Sequence, residues 1–297
     1  MILDGWRVAV YKDVALVLEG GGMRGAYSSG VLDAIYDAGL KFGGYAGTSA
    51  GATHLCSFLS EQRERNKRID TVHSRDPRYR GFKWLLKTGD FFPREFCYVT
   101  IPREVDPFDY AKFEENAKVS PFYCVTTNVE TGEGEYLLTQ EVDKGDGLEC
   151  VRASASLPLM SKIVELRGKK LLDGGIADSI PFQFMERQGF AKQVVILTQQ
   201  DGYVKKPNPM IPLFKLVYRK YPKFVEAAAT RHIRYNEATA RLKEYEAAGK
   251  SFVFRPSEPF QISRLEKDTN KLVELYEMGL RDGKRLLPQL MEFLKSC

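Results

Sequence analysis

Apolar positions in the first third of the chain fall into short solid blocks separated by stretches with helical spacing. Residues 15–19 (Ala-Leu-Val-Leu-Glu) form an apolar run that ends in a glycine cluster, which reads as a buried strand. Residues 25–38 carry Ala26, Val31, Leu32 and Ile35 on one helical face, and Gly39 suits the C-cap. A short second strand is predicted over 44–47. A second helix is predicted from Ala50 to about Arg65, apolar first and charged late. Strand, glycine-rich turn, helix, strand, tight turn, helix is the α/β pattern of a parallel sheet covered by helices. Later strands are predicted over 122–128, 135–139, 163–165, 170–172, 194–198 and 252–254. Glycines at 132, 134 and 168 suggest hairpins. Residues 215–248 read as mainly helical. So does the stretch from Leu265 onward, with a break expected near Gly283 or Pro288.

Composition changes this picture little. The chain has 297 residues, 43% hydrophobic, which is enough for one substantial core. The net charge of +5 comes with no arginine-rich arm and no polybasic block, so a nucleic-acid partner is not expected. Five cysteines (Cys56, Cys97, Cys124, Cys150, Cys297) include no CxxC pair and read as free thiols rather than a disulfide framework or zinc site. Residues 1–7 lack a basic segment followed by an apolar run, and no stretch approaches the ~20 apolar residues of a membrane span. The expectation is a cytoplasmic protein, at most peripheral to a membrane.

Three motifs carry chemistry. Gly47-Thr48-Ser49-Ala50-Gly51 is a GxSxG where a strand hands over to a helix, a turn that projects Ser49 from the backbone. The bland alternative is a helix N-cap. Gly20-Gly21-Gly22-Met23-Arg24-Gly25 lets backbone N–H groups converge on one point, which suits an oxyanion, and Arg24 adds positive charge. Gly20, Gly22 and Gly25 also satisfy the G-x-G-x-x-G dinucleotide fingerprint. An oxidoreductase reading needs an acidic residue at the end of the second strand, and Asp37 falls in the preceding helix. Asp173-Gly174-Gly175 follows the apolar pair 171–172 and holds a carboxylate at a strand end; an ordinary Asp-Gly turn is the alternative.

Of the three histidines, His232 alone satisfies the order Ser…Asp…His with Ser49 and Asp173, but it sits in a predicted mid-helix stretch. His54 follows Ser49 by about one helical turn and is expected to pack. His73 lies in a charged segment expected to be exposed. Residues 81–87 with 91–93 mix aromatics and lysines. They read as an amphipathic helix on the core, with a lid or an interface-seeking segment as the alternative. Residues 210–218 read as core, with an acyl channel as the alternative.

Together the motifs resemble the patatin-like phospholipases in content and order. Ala153-Ser154-Ala155-Ser156-Leu157-Pro158 resembles that family's Ala-Ser-x-x-x-Pro segment. Asp178-Ser179-Ile180-Pro181 stands where many members have Asn-x-Pro. The likeness covers about residues 14–200. It implies a three-layer α/β/α fold with a mostly parallel sheet, a catalytic domain over 1–200, and a helical extension over 201–297 packed on it. It also implies a serine lipid acyl hydrolase with Ser49 as nucleophile and Asp173 as base. The loop of Gly20, Gly21, Gly22, Arg24 and Gly25 becomes the oxyanion hole, Gly47 and Gly51 flank the nucleophile, and Gly174 and Gly175 complete the aspartate motif. No metal and no cofactor are implied; the partner is a lipid or acyl ester, with transient membrane-surface contact. A non-catalytic lipid-binding protein of the same fold is the alternative.

Overall fold

The computed structural model describes residues 9–295; the readings made of residues 1–7 and of Cys297 lie outside them. Eight described strands form one sheet: β1 (Ala9–Leu18), β2 (Leu40–Thr48), β3 (Phe122–Asn128), β4 (Gly134–Leu138), β5 (Val164–Leu166), β6 (Lys169–Asp173), β7 (Lys192–Ile196) and β8 (Ser251–Phe254). The helices are α1 (Ala26–Asp37), α2 (Ala50–Leu59), α3 (Arg65–Thr71), α4 (Phe82–Thr88), α5 (Tyr110–Val119), α6 (Gly147–Ser154), α7 (Phe182–Arg187), α8 (Ile211–Val217), α9 (Pro222–Ala247) and α10 (Thr269–Lys295), with a wide-turned π-helix at Glu95–Val105.

The sheet order is β5-β6-β3-β2-β1-β7-β8, with β4 also on β3. The pairs β3-β2, β2-β1, β1-β7 and β7-β8 are parallel; β4 and β6 run antiparallel to β3, and β5 to β6. Alternation along β1 sets the three layers. Val14, Leu16 and Leu18 face a core shared with α1, α2 and α10, whereas Ala15 and Val17 face α7 and α9. β8 comes from the C-terminal third and continues the sheet beyond β7.

The principal helix contact is α1 against α10. A Cβ at Gly30 would lie 2.1 Å from Tyr276 O, and one at Gly279 would lie 2.0 Å from Tyr27 O. Backbones can touch this closely only where both helices lack a side chain. Polar ties reinforce the pair: Tyr276 OH donates to Asp33 (2.6 Å), and Tyr27 OH donates to Asp282 (3.2 Å).

Several local expectations are corrected. The predicted second helix ends at Leu59; Glu61 and Glu64 take positive φ, and α3 then starts anew. α10 does not break at Gly283 or Pro288. Gly283 closes onto Ala34, while Leu290 and Leu294 stay buried beyond the proline. Burying two leucines offsets most of the roughly 3 kcal/mol that an interior proline costs. α4 is not a core-packed helix: it buries none of its residues, and Leu86 is 89% exposed. Downstream, Phe91 and Pro93 enter the interior, Phe91 edge-on to Phe82 and Phe92. Residues 210–218 divide, with Phe214 and Tyr218 buried and Met210, Leu216 and Val217 exposed. No helix among the described residues is long and apolar enough to cross a membrane.

Gly279→Ala should force α10 off α1 and destabilise the protein by about 1–3 kcal/mol, as overpacking does, read as a lower urea midpoint. An unchanged midpoint would mean that α10 is not seated on α1 as described.

Candidate active site

Ser49 and Asp173 are 124 residues apart, and β3 brings them together. Along one edge of β3, β2 pairs as far as Thr48 opposite Val125. β6 takes up the next position, with Asp173 opposite Thr126. Because β2 runs parallel to β3 and β6 antiparallel, the two strands meet end to end on that edge. β4 occupies the other edge throughout. The residue after Thr48 therefore faces the last residue of β6.

At this seam Ser49 leaves β2 with φ 56° and ψ −122°. A non-glycine residue held there costs on the order of 1–3 kcal/mol, and the surroundings must hold it. They do so by close packing. A Cβ at Gly47 would strike Ala52 N at 2.6 Å, and one at Gly51 would strike Leu18 O at 2.7 Å. Ser49 N–H donates to Ser154 Oγ (2.9 Å), whose own proton goes to Val125 O (2.6 Å). The turn is thus pinned to β3 by a residue of the Ala-Ser-x-x-x-Pro segment.

Ser49 Oγ donates to Asp173 Oδ2 at 2.5 Å, and both residues are buried. The other carboxylate oxygen accepts Gly175 N–H (2.8 Å), and Thr127 Oγ1 donates to the Asp173 carbonyl (2.9 Å). Burial pushes the Asp173 carboxyl above the ordinary carboxylate range. The Ser49 hydroxyl, Arg231 and the Gly175 N–H pull the other way. A raised carboxylate in short contact with a hydroxyl is a stronger base toward that hydroxyl than a solvated aspartate would be.

The glycine loop lies against this pair. A Cβ at Gly20 would sit 2.9 Å from Thr48 O and 3.1 Å from Ser49 Cβ, so only glycine lets the loop approach. Gly22 takes φ +57°. Among the described residues no acceptor engages the Gly21 and Gly22 N–H groups, whereas Gly20 N–H donates to Ser179 O and Met23 N–H to Arg264 O. Gly25 closes onto His54. Glu19 anchors the start of the loop, accepting from Thr198 N–H (2.6 Å) and Tyr235 OH (2.8 Å). Arg24 is buried, and its Nε has no partner.

The histidines stand elsewhere. His54 is buried between Ser29 Oγ (3.4 Å) and Asp70 (3.4 Å). His73 is not exposed as expected: it is half-buried, with Nε2 3.1 Å from Asp106, because Arg65 and Arg68 converge on the same carboxylate. His232 lies within α9, with Nδ1 on Ala229 O. Asp178 accepts from Tyr136 OH (2.9 Å) and Ile180 N–H (3.1 Å), an anchoring role. Among the described residues no three His, Cys, Asp or Glu side chains are grouped to hold a metal.

Sequence reasoning missed three cations that stand beside the site: Lys205, Arg231 and Arg264. The Arg231 guanidinium donates to the Gly175 carbonyl and to Ser179 Oγ (3.3 Å). Lys205 is 8% exposed, its ammonium 3.9 Å from the Tyr235 ring centre. Burial, with Arg231, Arg264 and Arg24 close by, pushes it down to about 7. One signal in the sequence could have pointed to Lys205 alone: residues 202–225 carry six Lys or Arg and no acid.

Residues 16–185 match a family model described as Patatin-like phospholipase, and residues 221–295 match a domain of unknown function, DUF6363. The chain is 30% identical to the uncharacterised protein YjjU of Escherichia coli K12 over 95% of its own length and 79% of that protein's. It is 24% identical to lysophospholipase NTE1 of Saccharomyces cerevisiae over 96% of its own length, but spans 17% of that much longer chain. It is 30% identical to the neuropathy target esterase sws of Drosophila melanogaster, over 72% of its own length and 15% of that chain.

A carboxyl raised in the folded state adds stability below its unfolded pKa and loses it as pH rises through the folded value, so at neutral pH the charged Asp173 is a net cost. Asp173→Asn, which keeps the shape, should melt higher than wild type at pH 7. The rise should be about 2–4 °C for each kcal/mol relieved and should shrink as pH falls toward 4. A lower melting point at pH 7 would show that the carboxylate stabilises the fold.

Proposed function

The chain belongs to the patatin-like phospholipase family, and from that premise we propose that it is a serine lipid acyl hydrolase working through Ser49 and Asp173. The observation that carries the reading is the 2.5 Å hydrogen bond from the Ser49 hydroxyl to a buried carboxylate at a strained strand-to-helix turn. A purely structural serine needs neither the strain nor the buried acid. The names of the relatives, a lysophospholipase and an esterase, support an acyl ester as the bond cleaved.

In the first half-reaction Ser49 Oγ attacks the ester carbonyl carbon, and its proton passes to Asp173 Oδ2. The tetrahedral oxyanion is received by the Gly21 and Gly22 N–H groups, where losing one donor typically costs ~2.7–4 kcal/mol. Collapse expels the alcohol or lysolipid, which leaves with the proton from Asp173. Water then attacks the acyl-Ser49 carbonyl and gives a proton to Asp173. The carboxylic acid departs, and the proton returns to Ser49 Oγ. The carboxylate alone serves both halves, so no histidine is required.

A fluorophosphonate probe should label the wild type, which should also turn over p-nitrophenyl esters. Ser49→Ala and Asp173→Ala should each abolish labelling and lower turnover by about 10³-fold or more, while His232→Ala should keep both. An unlabelled and inert wild type would sink the hydrolase reading; loss of labelling in His232→Ala would instead point to a triad.

A further inference from the structure

Beside the site is a cavity of about 390 Å³ lined by Lys205, Arg231 and Arg264 among others. It is bonded to both halves of the catalytic pair's surroundings. The Arg231 guanidinium donates to the Gly175 carbonyl, and Gly175 N–H donates to Asp173. At the other end, the Arg264 carbonyl accepts Met23 N–H of the glycine loop. Charge is graded along it: Arg264 is exposed, Arg231 half-buried and Lys205 buried, while the buried Arg24, off the cavity wall, adds to the same positive field.

Among the described residues no carboxylate lies within 4.0 Å of any of these four cations. Glu19, the buried acid nearest them in effect, already accepts from Thr198 and Tyr235. The Lys205 ammonium rests against the Tyr235 and Tyr203 rings and meets no acceptor. Burying a cation without a partner is costly, and proteins ordinarily pair such groups. The arrangement is therefore short of an anion.

The charge count says which kind. Glu19 and Asp173 stand against Arg24, Arg231, Arg264, a Lys205 that is only partly protonated near neutral pH, and Lys206 on the same cavity wall, so more than one positive charge is left over. A fatty-acid carboxylate supplies one negative charge, and a choline phosphodiester is zwitterionic. A phosphomonoester carries roughly −1.5 to −2 at neutral pH and offers three oxygens to guanidinium forks.

We propose that Lys205, Arg231 and Arg264, with Arg24 behind them, form a phosphate subsite that selects acyl lipids ending in a phosphomonoester and presents their ester to Ser49. This rests on the hydrolase reading for its orientation toward Ser49, whereas the subsite itself does not.

The test uses three soluble substrates with one acyl chain: a monoacylglycerol, its 3-phosphate and its 3-phosphocholine. The wild type should favour the phosphomonoester by about tenfold or more in kcat/KM over both others. Lys205→Gln and Arg264→Gln should each cut that ratio by about tenfold, the usual worth of one charge-assisted hydrogen bond. Equal turnover of all three by the wild type overturns the subsite, even where fluorophosphonate labels Ser49. If no ester is turned over, the hydrolase reading falls, and calorimetry on Ser49→Ala decides the subsite alone. Monoacylglycerol 3-phosphate bound by Ser49→Ala, and weakened by Arg264→Gln, supports it. Glycerol 3-phosphate or inorganic phosphate bound just as tightly would overturn a lipid headgroup as the source. No binding of any of the three overturns the site outright.

Discussion

One edge of one strand carries the site. β2 and β6 approach β3 from opposite directions and share the same edge, so their C-terminal ends collide at Val125 and Thr126. The buried Ser49–Asp173 hydrogen bond sits at that collision. Neighbouring details answer to it. Ser154 straps the Ser49 turn to Val125, Thr127 holds the Asp173 carbonyl, and Gly174 is bare because a Cβ there would strike Val125 O at 2.2 Å. A slip of one residue in either pairing would turn a strand's side chains to the opposite face and separate the pair.

The electrostatics follow from the same burial. Burial makes Asp173 hold its proton more firmly, and the hydroxyl that donates to it is that of Ser49. The positive side is supplied from elsewhere in the chain: Arg24 from the glycine loop, Arg231 from α9, and Lys205 and Arg264 from connecting segments. The acid–hydroxyl pair and the cations that border it therefore come from segments remote in sequence, joined only by tertiary packing.

This explains what could be read beforehand. The strand-turn-helix units were legible because a buried strand is a solid apolar run and a turn without space requires glycine. Gly20, Gly47 and Gly51 are such positions, and each meets backbone or Cβ atoms at about 3 Å or less. Ser49 and Asp173 stood out for the same local reason. The cations did not, because an isolated Lys205 or Arg264 looks like solvated surface until the fold buries or aims it. Continuity of α10 through Pro288 was hidden too, since the core that buries Leu290 and Leu294 beyond the proline is assembled from distant segments. The half-buried His73 was misread because Asp106, 33 residues away, is what draws it inward.

Met23 N–H, inside the glycine loop, is held by the carbonyl of Arg264, 241 positions downstream. At ~5–20 residues added per second, a growing chain needs on the order of ten seconds or more between making the loop and making the residue that fixes it. For the last 91 positions of that interval Ser49 and Asp173 both exist in the nascent polypeptide, while the glycine loop beside them still lacks its bond to Arg264. That bond can form only once Arg264 has been made, so the loop beside Ser49 reaches its final place late, after both members of the buried pair are already in the chain.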